Sequence, residues 1–170
     1  YPTPAVYPTP GSTTTPPYTY PTPFNGSFVP PAGSPLAQKI HPRLLITTGG
    51  LPTLKAKLAG DFRSEYQTFV SDLNTRLTAA ENWDQWRFDI LNFAFVCAVG
   101  EINGVTYGNP VSTYCNRAKL MLNGLARSGT DATGISGPLA YDWLYNSLTQ
   151  AERTAAVNAL KLQRDGFEGS

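Results

Sequence analysis

Ionic side chains are missing from the first 35 residues of this chain. No Asp, Glu, Lys or Arg occurs there, yet the stretch holds 11 of the 15 prolines and seven threonines, and all 13 basic and 12 acidic residues fall between Lys39 and Glu168. Proline fixes φ at about −65° and drives the residue before it to extended conformations, so helix is excluded and polyproline II favoured. With little aliphatic content, such a segment has too little to bury to order by itself. The sequence therefore divides into an extended arm, residues 1–35, and a core-forming domain, residues 36–170.

The arm repeats Tyr-Pro-Thr-Pro at Tyr1–Pro4, Tyr7–Pro10 and Tyr20–Pro23. At ~3.1 Å per residue it can span on the order of 100 Å, against a radius of gyration of ~14 Å for the domain that follows. Thr and Ser among prolines mark O-glycosylated stalks, with Thr3, Thr9, Thr13, Thr14, Thr15 and Thr22 as acceptors. Asn25-Gly26-Ser27 is the chain's one N-glycosylation sequon. The plain alternative is a disordered linker. If the arm is ordered, a neighbouring chain or attached sugar holds it, and Tyr1, Tyr7, Tyr18, Tyr20, Phe24 and Phe28 are the side chains to dock.

The domain has roughly 135 residues, enough for one real core. Its charges are interspersed and sum to +1, which leaves nothing to attract nucleic acid or an anionic membrane. The longest apolar run, Phe93–Val99, is far below the ~20 residues of a spanning helix. No basic-then-apolar signal peptide opens the chain. Low charge with many Thr, Ser and Tyr suggests a secreted or cell-surface protein. Cys97 and Cys115 are the only cysteines. They fall near the facing ends of two expected helices, where they form either a disulfide or two buried thiols.

After Pro35 the punctuation becomes helical. Leu51, Leu54 and Leu58 share a face, with Pro52 in the first turn and Gly60 at the stop. Ser64 is expected to cap a second helix, and Asp84 to open a third that is apolar nearly all round and ends at Gly100. Ile102-Asn103-Gly104-Val105 signals a tight turn or tiny hairpin. Further helices are expected from about Ser112 to Arg127, through Trp143 and Leu144, and from a Thr149/Glu152 capping box to about Arg164. The expected fold is all-α.

His41-Pro42-Arg43-Leu44-Leu45-Ile46 followed by Leu51-Pro52-x-Leu54 resembles the opening segment of heparinase II/III-like and related alginate-type polysaccharide lyases. Tyr141-Asp142-Trp143-Leu144-Tyr145, then Leu148-Thr149-x-x-Glu152-Arg153, is similar to a helix hairpin of their incomplete toroids. The resemblance covers residues 40–163 and implies a partial (α/α) toroid of about three hairpins, whose concave side holds a sugar chain. Residues 1–35 resemble the Pro/Thr-rich glycosylated stalks of extracellular fibrils.

Lyase chemistry needs a base, usually Tyr or His, beside the uronate carbon and a group that stabilises charge on the carboxyl. The Asn-His motif that the family places after the Tyr-Asp-Trp-Leu-Tyr helix does not occur within these 170 residues, and the single histidine, His41, reads as structural. No residue is therefore assigned a catalytic role. For sugar binding the candidates are Trp83, Trp86, Trp143, Tyr141 and Tyr145, each of which is equally a packing residue. No metal-ligand spacing or phosphate loop is present, so neither metal nor cofactor is expected. Composition favours an extracellular structural glycoprotein whose arm docks on identical subunits to build a filament or surface layer, carrying covalent glycans. The resemblance favours the N-terminal part of a secreted uronate lyase or a non-catalytic carbohydrate-binding toroid, with polysaccharide as partner.

Overall fold

The computed structural model describes residues 29–124 and 135–168, with all their side chains except those of residues 83, 84 and 163–168. The arm's threonines, its aromatic residues and the Asn25 sequon, all within residues 1–28, lie outside the described residues, as does the ring of Trp83. Among the described residues there are six α-helices and no strand, so the all-α expectation holds.

Helix α1 (Leu51–Ala59) has Pro52 in its first turn and ends at Gly60, whose N–H reaches back to Ala56 O at 3.0 Å. The reversal is so tight that Phe62 N–H still bonds Lys57 O, and helical bonding resumes at once with Tyr66 N–H to Phe62 O. Helix α2 (Arg63–Asn74) therefore starts before Ser64. The expected serine cap sits inside the first turn instead, where its carbonyl accepts the Thr68 hydroxyl. Helix α3 (Trp83–Val99) likewise starts one residue before Asp84, because Asn82 O takes the first bonds, from Gln85 and Trp86 N–H. It stops at Gly100, whose φ of +72° is available to glycine without strain. The Asn103-Gly104 turn closes by Val105 N–H to Ile102 O at 3.2 Å, with Gly104 at φ +77°, and no strands flank it.

Helix α4 (Val111–Gly124) follows, then α5 (Ser136–Leu144) with a 3₁₀ turn at Tyr145–Ser147, then α6 (Gln150–Glu168). The expected end of α4 near Arg127 falls in residues 125–134, outside the described residues. The capping box is made as its sequence specifies: Thr149 N–H donates to Glu152 Oε2 at 2.7 Å, and Glu152 N–H to Thr149 Oγ1 at 3.2 Å.

Helix α3 is the centre, packed mainly on α4 and α5, with α6 lying against both of those. Ile90, Phe93, Val96 and Val99 are buried against Tyr114, Met121 and Leu122 of α4 and Leu144 of α5. Phe88 departs from the all-round burial expected of α3 and is 59% exposed. Two amides of α2 hold the α3–α4 connection. Gln67 pairs with Thr106 through both N–H and C=O at 2.7 Å, and Asn74 donates to Tyr107 O while accepting from Asn109 and the Tyr114 hydroxyl.

Cys97 and Cys115 are joined in a disulfide across a sequence separation of 18, tying the last turns of α3 to the first of α4. Closing a loop of that size removes about 3 kcal/mol of chain entropy from the unfolded state. Replacing both cysteines with serine is expected to lower unfolding free energy by about that amount. Urea denaturation with and without a reductant checks this, and identical midpoints would mean that the bridge is not formed.

Candidate functional site

The two segments that carry the family resemblance meet each other. Asp142, at the end of the second turn of α5, is only 2% exposed and faces the opening segment about a hundred residues earlier. Its Oδ1 accepts the Nδ1 proton of His41 at 2.6 Å, and its Oδ2 accepts the backbone N–H groups of Arg43 at 2.8 Å and Leu44 at 2.9 Å. A buried carboxylate is tolerable only when donors replace its lost water. Here three do. On either side, Trp143 Nε1 donates to Leu44 O at 2.8 Å and Asn146 Nδ2 to His41 O at 2.8 Å. The backbone of residues 41–44 is thus held at both its donors and its acceptors.

His41 is buried and its ring stacks on Tyr145, with centroids 3.7 Å apart and planes 14° from parallel. Since Nδ1 donates to Asp142, Nε2 carries the lone pair, and it accepts from Arg43 Nη1 at 2.9 Å. Burial pushes the His41 pKa below its ordinary value; the Asp142 hydrogen bond opposes this, and the Arg43 charge adds to it. The imidazole is neutral with both nitrogens engaged, so it is not a base free to take a substrate proton. The structural role expected from the sequence is the one its bonds describe.

Arg153 of α6 lies over the Tyr145 ring at 4.1 Å, and its Nε donates to Tyr145 O at 3.1 Å. One face of that ring is already covered by His41 at stacking distance, so the guanidinium must occupy the other. Tyr145 therefore has no face left for a pyranose. It keeps its edge and hydroxyl, and Tyr141 meets it edge-to-face at 5.8 Å. Burial, reinforced by Tyr145, raises the Tyr141 pKa and keeps that phenol protonated.

Tyr141 and Tyr145 form one wall of an open cleft of about 290 Å³. The opposite wall is a stripe on α6: Gln150, Arg153, Thr154, Asn158 and Lys161, with Val157 among them. The intervals of three and four put all of these on one helix face. That polar stripe is legible in the sequence as Gln150, Arg153, Thr154, Asn158 and Lys161 at helical spacing. Two cations, two amides, a hydroxyl and two phenols suit a ligand bearing both carboxylates and hydroxyls.

The tryptophans separate. Trp86 is 3% exposed and lies under the Arg117 guanidinium at 4.9 Å, so it is a core residue and not a sugar platform. Trp143 is half-buried, edge-to-face with Phe95 at 6.0 Å, and borders a second, apolar groove away from the polar cleft. Among the described residues no group of His, Cys, Asp and Glu could hold a metal ion. No described helix is long and apolar enough to cross a membrane. No protein family, curated protein or solved structure matches this chain.

Removing the Asp142 carboxylate leaves the buried His41 Nδ1–H and two part-buried backbone N–H groups without their acceptor. Asp142→Ala is expected to cost about 3–5 kcal/mol in urea denaturation. His41 sets a pH dependence. Unfolded, it titrates near 6.5, and folded it binds the proton less readily. The unfolded state therefore gains protons first on acidification. Stability should be whole above about 6.5, fall as pH drops from there toward the folded pKa, and level off below it. A His41→Gln variant should lose that slope in unfolding free energy between pH 7 and 5.

Proposed function

We propose that residues 40–163 are the opening hairpins of an (α/α) toroid that holds an acidic polysaccharide, as in the N-terminal region of a secreted uronate lyase. The observation that carries this reading is the polar cleft between α5 and α6, where Arg153 and Lys161 stand among amide and phenol groups. A uronate chain offers a carboxylate to the cations and hydroxyls to the rest, and a planar guanidinium pairs with a carboxylate through two donors. The mutual anchoring of the two resembling segments at Asp142 supports it further, since it gives both motifs a single physical purpose. The disulfide fits an oxidising, extracellular setting.

The role is binding and not bond cleavage by the described residues. His41 is engaged at both nitrogens and the Tyr141 phenol is held protonated, so neither is a ready base. The alternative of a filament subunit rests on residues 1–28, which lie outside the described residues.

Calorimetric titration with alginate or hyaluronan oligosaccharides is expected to show binding that weakens with salt, and a neutral glucan should show none. Arg153→Gln combined with Lys161→Gln should weaken binding at least about tenfold, the loss of roughly 1.4 kcal/mol or more. Ultraviolet absorbance from unsaturated uronate should stay flat for this chain alone. Equal affinity for neutral and acidic chains would overturn the reading.

A further inference from the structure

The apolar groove has a different chemistry from the cleft. It measures about 500 Å³ and is walled by Leu58 and Phe62 from the α1–α2 reversal, Phe69 from α2, Leu91 and Phe95 from α3, and Trp143 from α5. Tyr66 lies at its base, and the polar residues lining it are Glu65 and Asn92. Phe62 is 51% exposed. A sugar does not suit such a surface, because its hydroxyls would lose water and find almost nothing in exchange. Proteins seldom leave an aromatic patch of this kind bare without an occupant.

The chain contains a segment of matching chemistry. A polyproline II helix has three residues per turn, so residues three apart share a face. Tyr1, Pro4, Tyr7 and Pro10 recur at that interval. In such a helix they form one continuous Tyr/Pro face, while Thr3 and Thr9 fall on another. Aromatic-lined grooves bind proline-rich segments in this form because the ligand is already extended and loses little entropy on docking. The arm brings no charge into the groove, so no ion has to be desolvated.

Connectivity selects the donor. Trp143, on the rim of the groove, donates to Leu44 O, so the segment continuous with the arm passes beside it. The 28 residues ahead of Val29 can extend ~90 Å, several times the domain's radius. A tether of this kind gives a local concentration of about millimolar, above that of other copies in dilute solution. We propose that the groove is the docking site for the Tyr1–Pro10 face of the chain's own arm.

The test is independent of sugar binding. In the full chain, Phe62 is replaced by the photo-crosslinker p-benzoylphenylalanine, and an equal mixture of ¹⁴N- and ¹⁵N-labelled chains is irradiated at micromolar concentration. The expected products join position 62 to residues 1–10 with both halves carrying the same label. Substituting Tyr1→Ser and Tyr7→Ser together should lower that yield at least fivefold, while circular dichroism stays unchanged. Cross-links confined to other segments, or none, overturn the docking site. Mixed-label pairs overturn docking in the same chain and place the arm on a neighbouring copy, the arrangement a filament would require. None of these outcomes depends on whether alginate binds the α5–α6 cleft.

Discussion

The geometry of both surfaces depends on one buried carboxylate. Asp142 is nearly inaccessible to water, and its ionised form is tolerable there only because the opening segment supplies donors to both oxygens. The bonds act together. His41 is bonded to Asp142 through Nδ1 while its ring stacks on Tyr145, and that stack leaves Arg153 a single face of Tyr145 to cover. Trp143 is oriented by the carbonyl of Leu44, one of the residues whose N–H Asp142 fixes. A satisfied buried network of this kind specifies one arrangement, because any partial version leaves a polar group stranded.

A second buried carboxylate, Asp89 in the first half of α3, repeats the device. Asp89 is 1% exposed, and its Oδ1 accepts from Arg76 Nη1 at 2.6 Å and from Gln85 Nε2 at 3.0 Å. Arg76 belongs to the α2–α3 connection, and Arg117 of α4 donates to the carbonyl of Ala79 in that connection. Long links between helices in a small domain are thus held by side-chain donors reaching a buried acceptor, or by amides reaching backbone, as Gln67 and Asn74 do. Apolar packing sets which helices touch, and these polar ties set where the connections lie.

Much of this was legible in the sequence wherever the signal was local. The Thr149/Glu152 box, the glycine stop at Gly100, and Pro52 and Gly60 around α1 all rest on short-range geometry, whereas for Cys97 and Cys115 the sequence left a bridge and two thiols open and the structure shows the bridge. The starts of α2 and α3 were misplaced because backbone carbonyls of Phe62 and Asn82 open them, and a backbone acceptor has no residue signature. The Asp142 knot was hidden for another reason. Its partners are a hundred residues away, two of its three donors are main-chain, and an aspartate amid Tyr-Asp-Trp-Leu-Tyr reads as a solvated break in an apolar face. The α6 stripe was readable at its three-and-four spacing. It passed unnoticed because polar residues on one helix face ordinarily mean solvent.

Helix α5 separates the two surfaces by angle alone. Successive residues turn about 100°, so Tyr141 and Tyr145 stand ~40° apart, while Trp143 points ~200° from Tyr141. Helix α5 and the 3₁₀ turn that continues it therefore present two phenols to the polar cleft and an indole to the apolar groove, with Asp142 and Leu144 buried between. The two proposed occupants cannot exchange places cheaply. A uronate entering the aromatic groove would strip water from its carboxylates at several kcal/mol each, with no cation there to receive them. A charge-free Tyr/Pro segment entering the cleft would cover Arg153 and Lys161 without pairing them. The same desolvation cost that forces donors around Asp142 keeps an acidic sugar and a neutral arm on opposite sides of one helix.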